Sequence, residues 1–265
     1  MTTDDRRKGI MAKLSGRDRI EQIKAYIEGN GKVSISELSS NWNVTEETVR
    51  RDLDKLEETG FVTRIHGGAI WNGQQGRENV HFYERQRKNL DAKRRIANNA
   101  AELLSQNSPL FTDSSTTVVE ALKAIKDEAK LTVVTNSSEL FSEVKSGSFS
   151  IICTGGIFNE KSMSFQGETA KNVFRGYNAK LAVISCKGLK PDGIYDSYES
   201  EAEIKRVMLE NAEKVALLAD HTKFDNTAFL KLTDLDHIDY LVTDEQPSPE
   251  WIKCCEEHGI QLIYG

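Results

Sequence analysis

At 265 residues the chain is too long for one small domain and suits two, and 38% hydrophobic with 29% charged residues can bury real cores. A formal net charge of −6 excludes a uniformly basic nucleic-acid coat. Residues 1–71 carry 12 Lys+Arg against 12 Asp+Glu and residues 72–265 carry 23 against 29, so the acidic excess is C-terminal. A neutral N-terminal part can still neutralise DNA phosphates through one positive face.

Residues 1–16 mix charges with Gly and Ser, contain no apolar signal-like core, and read as a flexible segment. Ile20, Ile23 and Ile27 then recur at helical spacing until Gly29-Asn30-Gly31. Val33 and Ile35 read as a short extended piece, with Ser36 capping a second helix from Glu37 to about Asn41. After an Asn43-Val44 turn, Thr45 caps a third helix that runs to about Thr59. Two short strands follow around His66-Gly67-Gly68. This order is that of a winged helix-turn-helix, assigned to 17–71. Residues 72–81 have linker composition.

A charged helical stretch is expected over about Phe82–Leu104. Beyond Pro109, apolar runs at 110–112, 131–135, 149–153, 181–185, 215–219, 240–243 and 260–264 alternate with helical stretches at 116–126, 138–145, 166–175, 200–213 and 248–258. The alternation predicts, for 82–265, a doubly wound, mostly parallel α/β domain with helices on both faces. No run approaches the roughly 20 apolar residues of a membrane span. Cys153, Cys186, Cys254 and Cys255 form no C-x-x-C pair and read as buried reduced thiols, so no metal is expected; no cofactor is expected either. The cytoplasm is the expected location.

At about 100° per residue, Val49, Leu53 and Leu56 make the inner stripe of the third helix, leaving Glu47, Thr48, Arg51 and Lys55 for a major groove and Arg50 for a phosphate. Glu46, Glu47, Asp52 and Asp54 dilute the positive charge of that surface. Arg64, His66 and Gly67 suit a wing against the backbone or minor groove, and Ser36 and Thr45 sit at helix starts that attract phosphate. The motifs Thr48-Val49-Arg50-Arg51-Asp52-Leu53 and Arg64-Ile65-His66-Gly67-Gly68-Ala69 resemble the N-terminal module of the DeoR family of bacterial regulators. The resemblance implies binding of double-stranded operator DNA as a dimer or higher oligomer, and repression of sugar-utilisation genes.

In the second domain Asp113-Ser114-Ser115-Thr116-Thr117 ends one strand and opens a helix, offering hydroxyls and free N–H groups to an anion. Thr135-Asn136 and Gly155-Gly156 end the next two strands at the same sheet edge, where open α/β sheets bind ligands. Lys187, Asp220 and Lys223 follow later strands, while Glu201 and Lys205 share a helix face and could form a plain ion pair. The resemblance continues from about Lys93 to Asp244, through Asp113–Thr117, Val133–Asn136, Gly155-Gly156, Glu201–Met208 and Ala219–Phe224. It implies an isomerase-like sensor for a phosphorylated sugar, with phosphate on Ser114–Thr117 and Lys223 and hydroxyls near Asp113, Asn136, Gly155-Gly156, Lys187 and Lys205. The chain departs from the family pattern at Ser115, where Gly is usual, and at Ser185-Cys186-Lys187-Gly188. A sugar-phosphate isomerase carrying a DNA module is the alternative, but the isomerase's acidic loop is replaced by that last run. A nicotinamide sensor lacks its G-x-G-x-x-G fingerprint.

Overall fold

The computed structural model describes residues 16–59, 61–65, 67–71, 77–127, 130–144 and 149–265, with the backbone only at Arg17 and 77–81. Chain contacts divide it into two compact units, Met1–Glu84 and Arg85–Gly265.

In the first unit, α1 (Gly16–Asn30) leads through β1 (Lys32–Ser34) to α2 (Ile35–Trp42) and α3 (Glu46–Glu58), then to β2 (Val62–Ile65) and β3 (Gly68–Trp71). Ile23, Ile27, Leu38, Val49 and Leu53 are fully buried together, which is the helical periodicity realised as a core. The second helix starts two residues earlier than the sequence reading placed it. Its cap is Ser34: the Ser34 hydroxyl accepts from Glu37 N (3.2 Å) and the Glu37 carboxylate accepts from Ser34 N (3.3 Å). Reading Ile35 as extended obscured this S-x-x-E box, which satisfies two otherwise orphaned donors. Ser36 is an exposed first-turn residue instead. Thr45 caps α3 as expected. The three strands pair antiparallel in the order β1-β3-β2. At Gly68 a Cβ would lie 2.0 Å from the Val33 carbonyl, so β3 crosses β1 at a separation only glycine allows.

A helix, α4 (Arg77–Arg87), begins inside the expected linker and ends in the second unit. The single helix expected over 82–104 is therefore broken, with α5 (Leu90–Gln106) starting after Asn89, whose φ is +55°. Lys93 explains the break. Its buried ammonium donates to the carbonyls of Arg85, Gln86 and Lys88, closing the end of α4.

The second unit continues as β4 (Leu110–Thr112), α6 (Thr116–Ile125), β5 (Leu131–Thr135), α7 (Leu140–Glu143) and β6 (Phe149–Cys153). A hairpin, β7 (Ile157–Asn159) and β8 (Ser164–Gln166), precedes α8 (Glu168–Arg175) and β9 (Ala179–Ser185). Then come β10 (Gly188–Lys190), β11 (Gly193–Asp196), α9 (Glu199–Glu210), β12 (Ala212–Leu218), β13 (Leu230–Thr233), β14 (Tyr240–Val242), α10 (Pro249–Glu257) and β15 (Gln261–Ile263). Seven of these strands form one parallel sheet in the order β15-β14-β12-β9-β4-β5-β6. Pleating divides its side chains between two cores. Ala182 and Ile184 join Phe174, Met208 and Trp251 on one face, while Leu181 and Val183 join Ile96, Leu104 and Leu122 on the other. The chain runs outward from β4 to β6 and then from β9 to β15 in the opposite direction, so the topological switch point lies between β4 and β9. The short β7-β8 and β10-β11-β13 sheets were not anticipated. No helix among the described residues is long and apolar enough to cross a membrane. The four cysteines are free, with Cys153 only half-buried.

Candidate functional sites

In the first unit the outer surface of α3 presents Glu46, Glu47, Arg50, Arg51, Asp54 and Lys55, all exposed. Arg50 pairs with Glu46 (2.9 Å) and Arg51 with Glu47 (3.3 Å), each one turn apart on the helix. Such exposed pairs are weak, and a phosphate or base edge competes with them readily. Asp52 does not dilute this surface. It is buried and held by Arg19 Nε at 2.6 Å, tying α1 to α3. Thr45 and Thr48 join their hydroxyls at 2.9 Å at the start of α3. Arg64 is turned inward rather than out along a groove. Its side chain is only 17% exposed, with Nε 3.4 Å from Asp54. Its backbone N–H donates to Glu57, so this residue fixes β2 against α3. Gly67 forms the exposed turn between β2 and β3, and His66 lies outside the described residues.

In the second unit the switch point gathers the predicted polar residues. Asp113, fully buried after β4, accepts from Ser115 N (2.9 Å) and from Ser185 N (3.1 Å), bridging the two strands where the sheet order reverses. Lys205 Nζ reaches Asp196 (2.5 Å), Asp113 (3.2 Å) and the Ser185 carbonyl (2.7 Å). Burial opposes its charge, but Asp196 and Asp113 outweigh it and hold the ammonium above the ordinary lysine range. Glu201 makes no ion pair with Lys205, contrary to the simple pairing. It accepts instead from Ser114 (3.3 Å), Ser164 (2.6 Å) and Gln166 (2.5 Å), clasping the β7-β8 hairpin.

Ser115 caps α6, and Thr116 and Thr117 are buried in its first turn. Thr116 also donates to the Arg85 carbonyl at 3.5 Å, so the anion-type loop touches the end of α4. Thr135 bonds the Thr112 carbonyl (3.1 Å) and Asn136 bonds the Phe165 carbonyl (3.1 Å). The Asn136 side-chain oxygen Oδ1 and the Thr112 and Ser137 hydroxyls are buried without partners. Gly156 is required by the hairpin rather than by a ligand, because a Cβ there would lie 2.6 Å from the Gln166 carbonyl. Gly155, also at positive φ, faces open space.

Basic and acidic side chains are interleaved around this loop. Asp220 accepts from Thr222 N (3.0 Å) and Asn89 (3.4 Å), with Lys223 at 3.8 Å. Burial, reinforced by the charge of Arg85, lowers Lys187 to about 8. Burial likewise lowers Lys93 to about 8, against the opposing pull of Asp220. Neither lysine has a carboxylate within ion-pair distance among the described residues. Burial also lowers Arg85, whose charge Glu201, Asp113 and Asp196 support. Cationic groups held below their ordinary pKa by burial gain from a bound anion.

Arg85, Lys93, Ser164, Gln166 and Asp196 were missed by sequence reasoning. One signal was legible: Lys93 stands three residues before Ile96 and seven before Ala100, on the apolar stripe of α5. A lysine on a buried face needs a partner.

Residues 19–75 match the family model of the DeoR-like helix-turn-helix domain, and residues 88–245 match that of the DeoR C-terminal sensor domain. The chain is 35% identical over 247 residues to the HTH-type transcriptional regulator YulB of Bacillus subtilis, covering 92% of this chain and 95% of that protein. It is 34% identical to the L-fucose operon activator of Haemophilus influenzae (92% and 98% covered) and 28% identical to the glycerol-3-phosphate regulon repressor of Escherichia coli (91% and 95%). Ribose 5 phosphate isomerase A from Neisseria gonorrhoeae is similar over 50% of this chain and 52% of its own, at a TM-score of 0.37 and 11% identity, a likeness that carries no functional weight. With a reading helix in the first unit, a ligand-type switch point in the second and both matched in order, the chain belongs to the DeoR family of transcriptional regulators.

Proposed function

We propose that this regulator is a cytoplasmic repressor of a carbohydrate-utilisation operon, binding its double-stranded operator as a homo-oligomer until a phosphorylated sugar is captured at the β4–β9 switch point. The observation that carries the ligand class is the buried Lys187 near the hydroxyl-lined start of α6. Lys187, lowered to about 8, has no carboxylate within ion-pair distance among the described residues, and it lies near a loop of hydroxyls and helix N–H groups, while Lys93, held by three carbonyls, adds positive charge without a free donor. Phosphate is assigned to Ser114–Thr117 with Lys223, and sugar hydroxyls to Asn136, Lys187 and the clasp of Glu201. Asp113 and Lys205 are committed to the frame and to each other, so they position the loop.

Operator reading falls to Thr48, Arg51 and Lys55, with Arg50 and the wing turn on phosphates. The sugar theme is supported by relatives named for fucose and glycerol-3-phosphate regulation. We assign no reaction. An isomerase needs a carboxylate base free to take a proton, whereas Asp113, Asp196 and Glu201 are each hydrogen-bonded to this chain's own groups. Calorimetry of the full chain against pentose and hexose phosphates tests the reading. One phosphosugar is expected to bind and its unphosphorylated form not to. Heat from the neutral sugar equal to that from its phosphate would overturn the phosphate assignment.

A further inference from the structure

The parallel sheet ends at β6, and among the described residues no strand pairs with its outer edge. The hairpin that follows forms its own sheet and does not pair with that edge. Its β8 strand is bridged to Ser137 and clasped by Glu201 of α9, which draws it inward across the ends of the strands. Residues 149–159, the strand and the segment leaving it, contain no charged residue in a chain that is 29% charged. Exposed edge strands are ordinarily blunted by charge, proline or a bulge, because unpaired N–H and C=O groups invite another strand. This edge carries no charge or proline from Phe149 to Asn159, and its pairing to β5 runs without a bulge.

The direction of the free groups follows from the ladder. Thr154 N donates inward to the Thr135 carbonyl, and Cys153 is registered opposite Thr135. Alternation along a parallel strand then turns Ser150 and Ile152 toward β5 and points the amides of Phe149, Ile151 and Cys153 outward. Three outward residues centred on Ile151 are self-complementary about a two-fold axis. Antiparallel pairing would set Ile151 against Ile151 of a second copy and Phe149 against its Cys153, with no like charges brought together.

We infer that the outer edge of β6 is an interface between two copies of this chain, joined as antiparallel β6 strands about a two-fold axis at Ile151. The inference rests on the sheet edge and stands whether or not the effector is a phosphosugar. Closed two-fold pairing also removes the exposed edge, which an open contact would leave at one end.

The test is sedimentation equilibrium of the full chain and of Ile151→Pro. Proline at 151 deletes an outward N–H while leaving the inward ladder to β5 intact. Loss of the two symmetry-related hydrogen bonds is expected to raise the dimer dissociation constant on the order of 10-fold to 100-fold. A second variant keeps the proposal open to refutation should the proline chain not fold. Phe149→Cys places a thiol opposite the partner's native cysteine, at a Cα separation of about 5.5 Å that a disulfide spans. Mild oxidation is expected to give a covalent dimer that the further change Cys153→Ser abolishes. A monomeric parent chain, an unchanged dissociation constant in folded Ile151→Pro, or a dimer in which Phe149→Cys fails to cross-link would each overturn the interface.

Discussion

Lys205→Met removes the one ammonium shared by two buried carboxylates. In the native chain Lys205, Asp196 and Asp113 have side chains 8%, 3% and 1% exposed, with Nζ 2.5 Å and 3.2 Å from the carboxylate oxygens. Methionine approximates the stem in volume, so the cost comes from charge rather than from a cavity. Removing one partner from a buried pair costs about 3–5 kcal/mol, because the remaining charge has lost its compensation. For a unit of this size about 1 kcal/mol moves the midpoint by roughly 2–4 °C, so the sensor transition should fall by about 6–20 °C at pH 7.

The pH dependence has a definite sign. In the native chain burial pushes Asp196 up, but Lys205 more than offsets it and holds the carboxyl below its ordinary value. Its stabilising contribution is therefore present above the unfolded carboxylate pKa of about 3.9 and is lost as pH falls through the lower folded value. In the variant the stranded carboxylates take up a proton more easily, so the deficit should be smaller at pH 5 than at pH 7. Calorimetry of native and variant chains at both pH values checks this. A drop under about 3 °C at pH 7, or an equal drop at both pH values, would refute the reasoning.

Three further outcomes follow from the same geometry. Ser34→Ala should cost the first unit about 1 kcal/mol, whereas Ser36→Ala should stay within about 0.5 kcal/mol, because only Ser34 closes the capping box; denaturant melts separate them. Effector affinity should hold up to about pH 8 and weaken on the order of 10-fold by pH 9.5, since Lys93 and Lys187, lowered to about 8, are charged below that value and neutral above it. Calorimetry at pH 7 and 9.5 reads this, and Lys187→Met should make the profile shallower. Arg51→Ala should relax operator specificity by about 1–3 kcal/mol, while Arg50→Ala should weaken all DNA alike and reduce the salt slope by about 1; titrations at several salt concentrations distinguish the two.

The parts of this molecule written in local periodicity were legible, and those set by tertiary partners were not. Val49, Leu53 and Leu56 announced the buried side of α3, and the βα alternation announced the parallel sheet, because period and side-chain size determine those directly. The polar ends of β4 and β5 could be placed at one edge for the same reason. The cap of α2 was misplaced because Ile35, apolar beside Val33, suits either a strand or a first helical turn. Asp52 and Arg64 look like surface charges in sequence, yet Arg19 of α1 holds Asp52 in the core and Arg64 lies along α3 beside Asp54 and Glu57. The break at Asn89 depends on Lys93 reaching back to three carbonyls, and nothing in local propensity specifies that reach. Short strands such as β7, β8 and β10 carry too few residues for a period to show.

On the proposed function, capture of a phosphate by the second unit changes DNA affinity at the first. The most direct measurement is operator binding by the full chain at fixed salt, titrated with a phosphosugar and separately with its unphosphorylated form. Operator affinity is expected to change with the phosphorylated compound alone, and that change to be lost in Lys187→Met while binding of the effector-free protein to DNA persists. Operator affinity that stays constant across the phosphosugars, in protein that is folded and binds DNA specifically, would contradict it.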